Sequence, residues 1–411
     1  MRFLKSKTLI ILTLLVFVLY LSNDFSLIDI KETALIFALG IDKEDDLFEV
    51  SAQIAIPQAT DQTASNNAAV ISGKGETIAL AIENIGAHTG WYPNLSFCNI
   101  IILGNGLFDG DIMQNIDYFI RTVKIQDTAA LCAAEKTAKE VLNISSPLED
   151  FSAFSISKIL EKDAETSSSV STSSIREFAM GYYSKSGFSL MPKIKLLDAG
   201  NKADEKSQPS AAKKMAAQKV DNKSGQGEQG GQASGGQSKK IFDATETVLF
   251  SKGRRICVID KDQTLILNLL NHKVSEASLE LHNQNYLGKQ TGLFITLREN
   301  SGNVKLKIKD NRPTLIVTLN ITARLDDTNI TVPPEELAKS YIVPDNILRD
   351  VEELIETKLH EIFSLSVEKN CDIFEIKDKL FRTQNKYYEG YKDIIINETS
   401  FLTNVTAKSF K

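Results

Sequence analysis

The sequence has no paired cysteines: Cys98, Cys132, Cys257 and Cys371 lie far apart, with no CxxC and no spacing that suits a metal. Burial as small apolar residues is the reading that such isolated cysteines favour. One long-range disulfide is permitted outside the cytoplasm, but spacing does not assign it. The chain also lacks HExxH, GxSxG and Walker-A patterns, and its four histidines, His88, His272, His282 and His360, are scattered. No catalytic residue, metal site or cofactor site is nominated, and an enzyme is not expected. A surplus of positive charge is missing too. With 47 basic and 53 acidic side chains the formal charge is −6, which argues against a nucleic-acid partner, because phosphate binding needs clustered Lys and Arg.

The N-terminus sets the compartment. Arg2, Lys5 and Lys7 precede an uncharged, largely apolar run of 14 residues, Thr8 to Leu21. As a helix it would be about 21 Å long, shorter than the ~30 Å hydrocarbon core and typical of a signal-peptide h-region. No small-x-small cleavage site follows in Tyr20-Leu21-Ser22-Asn23-Asp24-Phe25, and no cysteine for lipid attachment is near. These features predict an uncleaved signal anchor over residues 1–25, with Phe3, Leu4 and Phe25 at the interfaces. Cations before the run and Asp24 and Asp29 after it place the body outside the cytoplasm. Its 411 residues, 42% hydrophobic and 24% charged, are enough for two or three globular domains.

From residue 26 to 145 the pattern is a mixture of strands and helices. Thr33–Ile41 and Phe48–Ile56 read as a hairpin about Lys43–Asp46, and Gln58–Ala69 as a polar loop. Thr77–Ile85 has helical spacing, and Phe97–Leu103 is an apolar run suited to a strand covered on both faces. Ile112–Val123 reads as helix, Ala129–Ala134 as strand and Thr137–Leu142 as helix. Gly73-Lys74-Gly75 precedes a helix, where glycines permit a tight turn; an anion site there would need GxGxxG spacing.

Residues 146–199 add helical patterns at Asp150–Ile159 and Ile175–Tyr183. Residues 200–240 hold almost no apolar side chain and are rich in Gly, Ser, Gln and Lys, the composition of a disordered linker. Order resumes in 241–290, read as the remainder of a second domain: Thr245–Phe250 and Arg255–Ile259 pair across Lys252-Gly253, and Leu265–Asn271 is helix or strand. Residues 291–411 read as an α+β domain. Its strands are Leu293–Leu297, Val304–Ile308 and Leu315–Leu325, with a closing strand at Phe401–Ala407. A long amphipathic helix covers Asn346–Val367 with Asp345 as N-cap, Glu352 and Glu356 falling on its solvated side, and a second helix covers Asp372–Phe381. The expected fold is thus α/β and α+β, a three-domain mixed-sheet extracytoplasmic body behind the signal anchor.

Two aromatic groups are candidate interaction surfaces: Trp91 with Tyr92 in the Gly86–Asn94 loop, and the cluster Tyr387, Tyr388 and Tyr391. His360 beside Leu359 is expected to be a partly exposed helix residue, since a metal site needs further ligands.

The order of certain segments resembles the C-subunit family of spore germinant receptors, the Ger(x)C type. The resemblance rests on Gly40-Ile41-Asp42-Lys43, Gln53-Ile54-Ala55-Ile56-Pro57, Gly75-Glu76-Thr77-Ile78 with Ala81, and Phe97 to Gly104. It continues through Asp117-Tyr118-Phe119-Ile120-Arg121, Ala129–Leu142, Leu190–Ile194, and Cys371-Asp372-Ile373-Phe374 followed by the three tyrosines. The resemblance implies a three-domain protein on the outer face of the spore inner membrane, partnered by a multi-pass membrane subunit and a subunit with large soluble domains. It implies a role in the response to nutrient germinants and no catalytic residues. Family members carry a lipid-attachment cysteine after the signal peptide; this sequence has none, so the apolar segment would have to anchor it. The alternatives are an exported solute-binding protein serving a transporter, which calls for two similar α/β lobes, and an exported enzyme such as a cell-wall hydrolase, which calls for placed carboxylates or a nucleophile motif.

Overall fold

The computed structural model describes residues 11–18, 32–55, 68–122, 124–146, 149–166, 168–198, 240–271, 276–337 and 340–410. Most of the expected anchor, most of the 58–69 loop, nearly all of the 200–240 linker and His272 lie outside them. Residues 11–18 form a helix, α1, whose side chains Ile11, Leu12, Leu14, Leu15, Val16, Phe17 and Val18 are all exposed. Among the described residues, no helix is long and apolar enough to cross a membrane.

The hairpin is β1 (Thr33–Glu44) with β2 (Leu47–Ala55), antiparallel and turning through Asp45 at φ 51°. A third strand, β3 (Ala68–Gly75), pairs antiparallel with β2 where sequence reading placed a loop and a glycine turn. Its glycines lie within the strand and not in a turn. A Cβ at Gly73 would stand 2.2 Å from the Ala81 carbonyl oxygen, and one at Gly75 2.7 Å from the Ala81 nitrogen. The bare backbone therefore lets helix α2 (Ile78–Thr89) lie directly on the strand, its N-terminus capped by Thr77.

β4 (Tyr92–Asn94) adds to the start of β1, and β5 (Ile100–Leu103) runs parallel along the rest of it. Helix α3 (Met113–Arg121), β6 (Ala130–Ala134), α4 (Ala138–Leu142), α5 (Ser152–Thr166), α6 (Ile175–Tyr183) and β7 (Phe188–Asp198) follow. The hairpin β8 (Lys240–Ser251) and β9 (Arg254–Ile259), turning at Lys252 and Gly253, completes a sheet ordered β3-β2-β1-β5-β6-β7-β8-β9. β1, β5, β6 and β7 are mutually parallel. Period-two alternation divides β5: Ile101 and Leu103 enter a core with α2, α3 and α6, while Ile100 and Ile102 enter one with α4 and α5. This is a three-layer α/β arrangement, and coverage on both faces explains why β5 is apolar throughout.

Leu265–Asn271, whose pattern suits helix or strand, lies almost wholly in helix α7 (Lys261–Leu270), started by a capping box between Asp260 and Gln263. β10 (Ala277–Tyr286), β11 (Lys289–Lys309) and β12 (Arg312–Thr328) form an antiparallel meander. Two of the expected strands are thus one: β11 is 21 residues long, with a register shift between Glu299 and Ser301. Helix α8 (Asp345–Glu368) and helix α9 (Ile376–Thr383) lead to β13 (Ser400–Ser409), parallel to β12, so the second sheet is ordered β10-β11-β12-β13.

The α8 stripe Ile347, Val351, Ile355, Leu359 and Ile362 is buried with Leu315, Val317, Leu319 and Ile321 of β12 in one core. Asp345 is the first helical residue, not the cap; Pro344 holds the cap position without a side-chain bond, and the Asp345 carboxylate suits the positive end of the helix dipole. Glu352 and Glu356 do more than face solvent. They accept from the Ala407 and Val405 N–H groups of edge strand β13 at 2.7 and 3.2 Å, occupying donors that an open edge would offer to another strand.

The expected units are joined in several ways. Residues 26–145 and 146–199 share the large sheet through β6 and β7, and β10 and β11 pair across position 290. Phe188, Leu249, Ile259 and the buried side of α7 share a core with the second sheet. A three-part division is proposed as a description of folding units, not of sheets.

Candidate interaction surfaces

The residues that carry the family resemblance hold helices in place. Asp42 is buried near the end of β1, and its carboxylate accepts from Ala138 N at 2.8 Å and Lys139 N at 2.9 Å. Thr137 accepts from Glu140 N at 3.2 Å, so three N-terminal donors of α4 are satisfied. Burial raises the Asp42 pKa, and Glu49 and Glu44 add to it, against the lowering effect of the two N–H bonds. Gly40 clears α4: a Cβ there would stand 3.0 Å from the Ala138 Cβ.

Gln53, also buried, donates to the Leu142 carbonyl at 3.3 Å and accepts from Ala153 N at 3.0 Å, joining β2 to the end of α4 and the start of α5. Asp372 repeats the Asp42 device, accepting from Ile376 N at 2.7 Å and Lys377 N at 2.8 Å, with its pKa again raised by burial. The four cysteines are unpaired. Burial pushes the thiols of Cys98, Cys132 and Cys371 up to about 12, which keeps them in the unreactive protonated form.

Trp91 and Tyr92 sit where α2 ends. Gly90, at φ 71°, closes the helix with a bond from its N–H to the Gly86 carbonyl, and Trp91 N donates to Thr89 Oγ1 at 3.2 Å. Trp91 is half-buried against the core that holds α2 and α3. Tyr92 is 41% exposed, and Lys124 Nζ lies 5.6 Å from its ring centroid.

The tyrosine cluster belongs to the other core. Tyr387, Tyr388 and Tyr391 are half-buried, and Tyr391 Oη donates to the Asn311 carbonyl at 2.6 Å, tying the cluster to the β11–β12 turn. Tyr388 meets Phe381 edge-on at 5.1 Å, and Lys185 Nζ lies 4.9 Å from the Phe381 centroid and 5.9 Å from that of Tyr388. Lys185 comes from the α6–β7 loop, which is pinned to α9: buried Asp378 accepts from Ser186 N at 2.8 Å and Lys185 N at 3.2 Å.

Beside this joint, Met180 and Tyr183 of α6 are 67% and 71% exposed and Phe381 is 40% exposed. Met180 and Arg382 line one cleft of about 350 Å³. Met180, Tyr183, Lys185 and Phe381 were not singled out from sequence, because only the fold brings α6 against α9. His360 is exposed on α8, its ring 5.0 Å from Phe401. Among the described residues, no group of three His, Cys, Asp or Glu side chains could hold a metal ion.

Comparison with known proteins decides the family. The spore germination protein N-terminal domain matches residues 27–196, and the spore germination B3/GerAC-like C-terminal domain matches residues 245–408. The chain belongs to the GerAC family of spore germination proteins. It is a spore germination receptor subunit, and GerAC-type subunits of this kind work with other subunits. The crystal structure of the GerBC protein has the same fold, with a TM-score of 0.50 at 15% identity, over 91% of this chain and 97% of that one. No curated protein matches the chain significantly. The interval between the two GerAC domains, 197–244, brackets the low-complexity linker read from composition.

Proposed function

We propose that this chain is the membrane-tethered C subunit of a nutrient germinant receptor, its body outside the cytoplasm at the outer face of the spore inner membrane. It acts by assembly and not by catalysis, with a multi-pass membrane subunit and a subunit with large soluble domains as partners. The observation that carries the tethering is the exposed helix α1. Its apolar side chains find no cover on the body, which water penalises and a bilayer rewards. The Met180, Tyr183 and Phe381 surface, backed by Tyr387, Tyr388 and Tyr391, is the proposed contact for a partner subunit. Exposed aromatics and methionine, with Lys185 over the Phe381 ring, have the composition of an interface core.

Affinity purification of the tagged chain from detergent-solubilised spore membranes is expected to recover both partner types. The pair M180D and Y183D is expected to lower that recovery at least about tenfold, the effect of a lost interface anchor, while leaving the far-UV spectrum unchanged. Recovery of the chain alone, with normal yield and fold, would refute assembly.

A further inference from the structure

Topology fixes the end of the body at which the N-terminal segment enters. Thr33, the first residue of β1, pairs with Tyr92, and Ala34 pairs with Pro93. The chain arriving from the apolar segment thus enters the large sheet beside Trp91 and Tyr92. Eleven residues separate Leu21 from Thr33, a span of at most about 40 Å when fully stretched. The tether therefore leaves the body from the end of the sheet at which Thr33 enters.

Two helices finish at this end as well. α2 runs out through Thr89 and Gly90 into Trp91, and the segment after α3 brings Lys124 over the Tyr92 ring at 5.6 Å. Ile120 and Arg121, in the last turn of α3, are also exposed there. The chain's one tryptophan thus stands beside an exposed tyrosine and a lysine. A ring with an apolar body and a polar edge, accompanied by a cation, is what the headgroup layer selects.

We infer that the end of the large sheet carrying Trp91, Tyr92 and Lys124 rests on the lipid headgroup layer of the membrane that holds the chain. The inference rests on the tethering proposed above and adds an orientation to it: the strands of the large sheet stand on the bilayer by the end at which β1 begins. The α6–α9 surface is then left for protein partners.

Because Trp91 is the only tryptophan, its emission reads this contact without any substitution. The full-length chain is reconstituted into phosphatidylcholine–phosphatidylglycerol vesicles, with bromine on the acyl chains either close to the headgroup or near the bilayer centre. Flotation of the same samples checks that the protein is membrane-bound. Expected are co-flotation, a blue shift relative to detergent, about twofold quenching by the shallow bromines as befits interfacial aromatics, and less by the deep ones. The double variant Y92S and K124E, at exposed positions, is expected to lose most of that quenching while still floating. If the chain floats but shallow bromines leave Trp91 unquenched and aqueous acrylamide reaches it as freely as in detergent, the orientation is wrong and tethering stands. If the chain does not float, both are wrong.

Discussion

Removal of residues 1–25 is expected to shift the protein, expressed without its partners, almost wholly from the membrane fraction to the soluble one. Eleven of the residues from Thr8 to Leu21 are Leu, Ile, Val or Phe. At about 0.3–0.6 kcal/mol each for insertion, they favour the bilayer by about 3–7 kcal/mol. That is a partition on the order of a hundredfold or more. The surface contact inferred for Trp91, Tyr92 and Lys124 buries far less and would not hold the body alone. Carbonate-washed membranes, probed for full-length and truncated chains side by side, give the answer directly. Truncated protein that stays in the pellet in the absence of partners would contradict the anchor.

The second large effect is expected at Asp42. Asp42→Ala strands the N–H groups of Ala138 and Lys139 inside the protein, at a cost of about 2–3 kcal/mol from lost charge-assisted bonds and an uncapped helix. Asp42→Asn keeps one acceptor and loses the other, so its loss should be smaller, about 1 kcal/mol. The sign of the pH dependence follows from the direction of the shift. Burial raises the folded-state pKa of Asp42 above its ordinary value of 3.8. The folded state thus binds this proton more tightly than the unfolded chain does. The resulting stabilisation is present at low pH and is lost as pH rises through the folded pKa. Urea unfolding at neutral and mildly acidic pH checks both points: D42A should unfold at markedly lower urea at both, and D42N should lie closest to the parent at neutral pH. Equal stability of D42A and the parent would refute the capping role.

Much of the fold was legible because its signals are local. Alternation identified β12, an unbroken apolar run identified β5, and a long apolar stripe identified α8. What was not legible depends on partners distant in sequence. β3 has only two large apolar side chains, Val70 and Ile71, and two glycines, and β2 supplies it a ladder and α2 a cover. β11 reads as two short strands because a register shift interrupts its pattern. Asp345 looked like a cap from its place after proline, but the chain was already helical there. Glu352 and Glu356 looked like surface charges because the strand edge that they guard lies some fifty residues further on.

The candidate surfaces divide in the same way. Trp91 and Tyr92 were visible as rare aromatics beside a glycine, yet their position against Thr33, which gives them meaning, comes from strand pairing. The tyrosines were visible as a cluster, whereas Lys185 joins them only through the docking of the α6–β7 loop on Asp378. The motif residues Asp42, Gln53 and Asp372 pointed to the family before their physical work was known. Asp42 and Gln53 satisfy buried backbone donors across a long sequence separation, a role that leaves no local pattern; Asp372 does the same for donors only four and five residues on.

Nutrient-triggered germination of spores carrying an in-frame deletion of this chain tests the account most directly, with the intact chain and the 1–25 truncation returned separately. A receptor subunit that must sit at the membrane predicts that deletion abolishes or sharply slows the response to at least one nutrient, that the intact chain restores it, and that the truncation does not. Vegetative growth should be unchanged. Deletion spores that answer every nutrient at the normal rate, in a strain with no second copy of the receptor, would contradict it.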